Sequence, residues 1–134
     1  MQIKKIITTI GEGINLDGRI YSPYTIKIEG SAVGEIISEE AITISRYGIA
    51  KGNIKTKNAI IEGRLIGNLI ASGKVEITST GAFFGNLVMK DSDFILQKGG
   101  IFKGKRISAE NEEIFKINKD EILAGLQIKI KKAA

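Results

Sequence analysis

The chain has 134 residues and a net charge of +5, and it contains neither cysteine nor histidine. Its length suits one domain with short tails. The missing residue types exclude disulfides, thiolate chemistry, imidazole metal sites and catalysis by a histidine base. The apolar stretches are all far shorter than the roughly 20 residues that a membrane-spanning helix needs. Basic residues are spread along the chain, so no nucleic-acid partner is expected.

The first ten residues combine isoleucines with two lysines, and two interpretations of this segment are open. One is a weak contact with a membrane surface, because basic and apolar side chains together bind anionic lipid. The residues that would make this contact are Ile3, Lys4, Lys5, Ile6 and Ile7. The other is a first strand that covers the opening coil of the fold. A single copy would bind a membrane weakly, whereas a polymer would present many copies.

Pairs of glycines four residues apart recur five times along the chain. The pairs are Gly30/Gly34, Gly48/Gly52, Gly63/Gly67, Gly81/Gly85 and Gly100/Gly104. Successive pairs begin 18, 15, 18 and 19 residues apart. This period indicates stacked structural repeats that are too short for a propeller blade or a strand–helix–strand unit.

Apolar side chains recur at fixed offsets from the second glycine of each pair. Two residues before it stand Ala32, Ala50, Leu65, Phe83 and Phe102, and two residues after it stand Ile36, Ile54, Leu69 and Leu87. A spacing of two indicates a strand that carries these side chains on one face. A second strand in each repeat carries the pairs Ile42/Ile44, Ala59/Ile61, Val75/Ile77 and Phe94/Leu96. An earlier, imperfect copy has Leu16, Gly18 and Ile20, followed by Ile26 and Ile28.

This pattern predicts an all-β fold, a parallel β-helix (solenoid) of about six coils over residues 11–109. Each coil would stack on the previous one at about 4.8 Å, so that equivalent residues form internal columns. A single coil would not fold alone, because its few apolar side chains do not offset the entropy of ordering it. Stacking makes the array cooperative. Residues 1–10 are then a short N-terminal segment and residues 110–134 a C-terminal tail.

Three asparagines, Asn53, Asn68 and Asn86, directly follow the second glycine in successive coils. They form either a row of ligand-binding amides or a ladder that stacks on itself, and the ladder is favoured. Paired carboxylates such as Glu39 and Glu40 fall in turn-prone stretches, and the sequence has no phosphate-binding loop. We therefore predict no catalytic residue, no cofactor and no metal site.

The tail departs from the repeat pattern. Residues 110–113 are mostly acidic, and Asn118 with Glu121 is typical of a helix cap. The alternation of Gln127 to Lys132 between apolar and basic residues indicates a strand. The tail either folds over the last coil as a cap or extends as an arm, and the cap is favoured.

The ends of the solenoid are where contacts between copies are expected. The first and last coils of a β-helix leave backbone edges unpaired, and such edges are templates for association. In the last coil, Arg106 takes the column position that isoleucine or leucine holds in earlier coils, so the core ends there. The candidate contact residues are Ile14, Leu16 and Ile20 in the opening coil, and Ile101 and Phe102 in the last.

The order and period of these motifs resemble the bactofilin family of bacterial polymer-forming cytoskeletal proteins. The resemblance covers about residues 8–108. It is carried by Thr9-Ile10-Gly11-Glu12-Gly13, Lys51-Gly52-Asn53-Ile54, Ile66-Gly67-Asn68-Leu69 and Gly100-Ile101-Phe102-Lys103-Gly104-Lys105. It implies a right-handed β-helix with three faces, and copies that polymerise end to end without nucleotide. It also implies a cytoplasmic scaffold for cell-shape and cell-wall-modifying proteins, often at the inner face of the membrane.

The same resemblance makes Phe102 the leading interface residue, because an aromatic in the closing motif lies at a polymer contact in that family. Packing under the last coil is its alternative role. The chain departs from the family in its short leading tail, which lacks a proline-rich stretch, and in its longer, more apolar trailing segment. The short leading tail puts recruitment to the membrane in question.

Two other functions stay open at this point. One is a discrete binding module, a monomer or small oligomer that holds a partner on one face of the solenoid. The other is an acyltransferase of the hexapeptide-repeat type. That class needs a strict period of six and usually a catalytic histidine, and this chain has neither.

Overall fold

The computed structural model of the chain describes residues 6–90 and 93–117. Twelve strands in these ranges form two parallel sheets of six strands each. The first sheet contains, in order, the short strands β1 (Ile7–Ile10), β3 (Thr25–Ile28), β5 (Ala41–Ile44), β7 (Asn58–Ile61), β9 (Val75–Ile77) and β11 (Phe94–Leu96). The second contains the eight-residue strands β2 (Asn15–Ser22), β4 (Ser31–Ser38), β6 (Ile49–Thr56), β8 (Arg64–Ala71), β10 (Ala82–Met89) and β12 (Ile101–Ser108).

One short strand and one long strand make one turn of a parallel β-solenoid. The chain advances by one position in both sheets with every turn, which gives about six turns. The predicted fold class and number of coils are therefore confirmed. The right hand and the three faces that the family resemblance implies stay predictions.

The interior consists of the columns that the period of the sequence predicts. Ile42, Ala59, Val75 and Phe94 are aligned in successive short strands, as are Ile44, Ile61, Ile77 and Leu96. In the long strands, Ala32, Ala50, Leu65, Phe83 and Phe102 form one column. Ile36, Ile54, Leu69 and Leu87 form another, and Arg106 follows Leu87 in it as predicted. Apart from the residues of the last turn, these side chains are all buried.

A ladder of glycines runs through the middle of the long strands. Its members are Gly18, Gly34, Gly52, Gly67, Gly85 and Gly104, and each has a φ angle between +123° and +150°. Side chains other than hydrogen are strained in this region of backbone space. From Gly34 onward, a Cβ atom would also collide with the backbone carbonyl of the glycine in the preceding turn. The second glycine of each pair is therefore required by backbone conformation and by stacking distance together.

The asparagine row is an amide ladder on the outside of the second sheet. Asn68 Nδ2 donates to Asn53 Oδ1 at 2.9 Å, and Asn86 Nδ2 donates to Asn68 Oδ1 at 3.2 Å. The three residues lie inside strands and not at corners. The prediction that they stack on one another is confirmed.

The two ends of the described chain add one strand and one short helix. Strand β1 pairs with β3, which confirms a first strand for residues 7–10. Helix α1 (Glu112–Phe115) begins at Asn111, whose side chain accepts from the Glu113 amide, and it contacts β8. The predicted membrane residues Ile3, Lys4 and Lys5 lie outside the described residues. So do the predicted cap at Asn118 and the strand from Gln127 to Lys132, and the C-terminal cap over the last coil stays a prediction.

Candidate functional site: the two end turns

The first turn exposes apolar side chains at one end of the solenoid. We call this surface, formed by β1, β2 and the loop between them, the N-terminal rim. Ile14 is 53% exposed and Leu16 is 38% exposed, although Leu16 stands at the head of a column that is fully buried at Ala32 and Ala50. Ile20 packs partly buried against the core. The predicted residues Ile14, Leu16 and Ile20 are therefore brought together in one turn.

The last turn, made by β11 and β12, exposes apolar side chains at the opposite end, which we call the C-terminal rim. Leu96 is 50% exposed, whereas Ile77, its neighbour in the same column, is fully buried. Phe102 is partly buried, with its ring centroid 5.3 Å from that of Phe83 and 5.4 Å from that of Phe94. The aromatic rings thus continue the core up to the rim, and among residues 6–90 and 93–117 no further turn covers its outer surface.

A shallow depression of about 440 Å³ lies on the C-terminal rim, and it is lined by Phe94, Leu96, Phe102 and Arg106. The Arg106 guanidinium carbon is 5.5 Å from the centroid of the Phe94 ring. A cation over an aromatic face is stabilised there while its outer side stays hydrated. Arg106 therefore ends one column without leaving a buried charge.

The predicted rim residues differ in how they are placed. Phe102 faces the core column and the depression, whereas Ile101, 43% exposed, lies outside the depression and lines a cleft with Arg46 and Tyr47. The structure also adds Phe94 and Leu96, which were predicted as core columns and not as rim residues. Their exposure at the rim could have been predicted from their position in the last repeat, because no further repeat follows to cover them.

Catalytic and metal-binding chemistry is not apparent in residues 6–90 and 93–117. These ranges contain no group of three histidine, cysteine, aspartate or glutamate residues that could hold a metal ion. No described helix is both long enough and apolar enough to cross a membrane. The described chain offers apolar rims and stacked strand edges, which can hold another β-structure.

The fold and these rims define a structural β-solenoid with exposed ends. A family model described as polymer-forming cytoskeletal bactofilin matches residues 8–107. Bactofilin BacO of Myxococcus xanthus (strain DK1622) is 33% identical over 97 residues, which are 72% of this chain and 75% of BacO. Bactofilin BacP of the same organism is 29% identical over 98 residues, which are 73% of this chain and 40% of BacP. No solved structure matches the chain significantly.

The chain belongs to the bactofilin family, which confirms the resemblance seen in the sequence. It is a polymer-forming cytoskeletal protein and not an enzyme, and it associates with copies of itself. The alternative of a hexapeptide-repeat acyltransferase is therefore wrong.

Proposed function

We propose that the chain forms filaments by end-to-end association of its two rims, without bound nucleotide. The observation that carries this proposal is the change in exposure along single columns. Leu96 and Leu16 continue columns that are fully buried one turn further in, so each rim is a cut through the hydrophobic core. Leu96 is 50% and Leu16 38% exposed, so covering the two together contributes about 1.5–3 kcal/mol, the value for burying one whole leucine. The outer strands at these rims pair with no further strand in the described part of the chain, and their edges would add backbone hydrogen bonds to the association.

Phe102 is the central residue of the proposed contact. Its ring packs on Phe83 below and on Phe94 beside it, so its outer surface is held in one place on the rim. An aromatic side chain that is fixed before binding loses little conformational entropy when a second copy covers it. The depression beside it gives room for a side chain from that copy.

The test is to replace Phe102 by arginine and to examine the purified protein without nucleotide. We expect wild type to form filaments in electron micrographs. Phe102→Arg should sediment as small, folded species, because the contact would bury a charge without a partner. The matched control is Phe84→Arg, since Phe84 faces outward from β10 in a row that already contains Lys51 and Lys103.

Normal filaments from Phe102→Arg would contradict the rim contact, and equal loss of filaments from Phe84→Arg would show that the effect is not local. Circular dichroism must show that both variants keep their β-structure. A wild-type monomer at all concentrations in analytical ultracentrifugation would favour the binding module instead.

We further propose that these filaments act in the cytoplasm as scaffolds for cell-shape or cell-wall-modifying proteins at the inner face of the membrane. Ile6 and Ile7, the described part of the candidate membrane contact, are 51% and 46% exposed, which supports a lipid contact. Many copies along a filament would multiply a weak contact by avidity. Liposome pelleting of filaments from wild type and from the double variant Lys4→Glu with Lys5→Glu, which leaves the residues of β1 unchanged, tests this, and equal pelleting would overturn the membrane part of the proposal.

A further inference from the structure

One outward-facing row of side chains on the second sheet is unusually apolar. It runs through Tyr21, Ile37, Lys55, Ile70, Val88 and Ile107, one residue from each long strand. We call it the flank row. Lysine is its only charged member, whereas the outward row of Asp17, Val33, Lys51, Ile66, Phe84 and Lys103 has three charges. The flank row is thus a long apolar surface outside the rims. A side of the solenoid that faced only water would not require apolar residues at these positions.

A groove of about 430 Å³ follows the flank row. Ile37, Lys55, Ile70, Val88 and Ile107 line it, and the asparagine ladder forms one border. It extends over the strands from β4 to β12, which are four spacings of about 4.8 Å, or roughly 19 Å. Burial holds the pKa of the Lys55 ammonium group below its ordinary value, so this part of the groove is partly desolvated.

The described part of the tail ends beside this groove. Phe115 is only 8% exposed, and Lys90 forms an ion pair of 2.7 Å with Glu112, so α1 is held on the side of the solenoid. One residue after the helix, the carbonyl oxygen of Lys116 accepts a hydrogen bond from Lys55 Nζ. Because Lys55 lines the groove, the chain leaves the described structure at the groove itself, with 17 residues still to follow.

We propose that residues 118–134 of the same chain occupy the groove and cover the flank row, in place of the cap over the last coil that the sequence analysis favours. The segment contains Ile122, Leu123, Leu126, Ile128 and Ile130, the last three in strict alternation with polar residues. About six extended residues would span the 19 Å of the groove, at roughly 3.3 Å each. The short tether from Lys116 gives the segment a local concentration of the order of millimolar, which a second copy or a free partner would have to exceed.

Occupation of the groove has a consequence for the polymer. In a filament every subunit would present its flank row on the side, where Ile107 is 46% exposed and the other members are half-buried. A contiguous apolar row of this kind promotes side-by-side association. A segment seated on each row would keep filaments single. The tail would then determine the thickness of the polymer, while contacts between rims join its subunits end to end.

Disulfide crosslinking of the full chain tests which segment occupies the groove. The natural sequence has no cysteine, so every disulfide comes from an introduced pair. The test variant carries Val88→Cys with Ile128→Cys, and disulfide formation is followed by mass spectrometry in a mixture of normal and isotopically heavy chains. The matched control replaces Val88→Cys by Ile60→Cys. Ile60 is an outward-facing, 37% exposed residue of β7, in a row of the first sheet that is mostly polar. A third variant, Leu96→Cys with Ile128→Cys, detects a tail folded over the last turn.

We expect products within one chain from the Val88 pair, at least about tenfold more abundant than those from the Ile60 pair. Adding Ile130→Asp should reduce this yield at least about tenfold, because the change removes one buried aliphatic contact. Lys129→Asp, on the opposite side of the alternation, should leave it nearly unchanged. In electron micrographs the single variant Ile130→Asp should form bundles where wild type forms single filaments.

Several results would overturn the inference. Equal yields from the Val88 and Ile60 pairs would show that the segment has no preference for the groove, and a dominant product at Leu96 would place it on the last turn. Products that mix normal and heavy chains would assign the groove to a neighbouring copy. Filaments of Ile130→Asp that stay single although the crosslink is lost would overturn the effect on filament thickness.

Discussion

Replacing Gly67 by alanine should destabilise the solenoid much more than the same replacement at Gly18. Both glycines stand at the centre of a long strand with nearly the same φ, +136° and +138°. They differ in what an added methyl group would meet. At Gly67 it would collide with the carbonyl oxygen of Gly52 and lie 2.9 Å from its carbonyl carbon, whereas at Gly18 nothing lies within 4 Å.

The expected magnitudes follow from this difference. An alanine held in this region of backbone space costs about 1–3 kcal/mol at either site. At Gly67 the turns must also separate to admit the methyl group, and overpacking of this kind costs a further 1–3 kcal/mol or so. The entropy that alanine removes from the unfolded chain is the same at both positions and cancels in the comparison. Gly67→Ala should therefore be the less stable variant by about 1–3 kcal/mol.

Urea denaturation followed by far-ultraviolet circular dichroism measures the two free energies of unfolding. Association contributes to apparent stability, so each variant is measured at several protein concentrations and compared at the lowest. Equal losses at the two sites would show that backbone conformation alone requires the glycines. A larger loss at Gly18 would refute the reasoning, because that site has no turn before it.

Three further predictions concern the surface of the solenoid. Partial burial and the hydrogen bond to Glu39 raise the pKa of Tyr21 from 10.0 to about 12, so the contact stabilises the fold below pH 10 and is lost as the pH rises towards 12. Glu39→Gln should lower this pKa in ultraviolet titrations, using the difference from Tyr21→Phe, and an unchanged value would contradict the assignment. Asn68→Ala should cost only about 0.5–1 kcal/mol in urea denaturation, because its ladder bonds are exposed to water, and a loss above about 2 kcal/mol would contradict this. Phe115→Ser should speed tryptic cleavage after Lys116 about tenfold, since burial of the ring holds α1 in place, and an unchanged rate would show that other contacts hold it.

The sequence predicts the internal columns because a solenoid converts a linear period into spatial alignment. Once Val75 and Phe94 occupy equivalent places in the repeat, stacking at a fixed spacing puts one above the other, and the observed register agrees. The same rule identifies Arg106 as the end of a column. Prediction from periodicity therefore succeeds wherever each turn repeats the last.

Features that occur once in the chain were not predicted in this way. The position of α1 against β8 depends on the fit of the Phe115 ring and on the ion pair of Lys90 with Glu112, and neither is repeated. The flank row was not predicted either, because the repeat is defined by its inward-facing columns, and Ile70 and Val88 face outward from the same strands. Their alternation with the core positions contained the necessary signal.

The two rims share a composition that limits how strongly they can associate. At the N-terminal rim Thr8 stands in the column of Ile26, and at the C-terminal rim Arg106 stands in the column of Leu87. Each rim therefore replaces one column residue by a polar one, while Leu16 and Phe102 continue a neighbouring column with apolar side chains. A fully apolar rim with unpaired edges would pair with any exposed strand, and polar residues at edge strands are a known protection against this. If the rims make the polymer contact, as proposed above, this mixture leaves apolar surface for a partner of matching shape and limits pairing with other exposed strands.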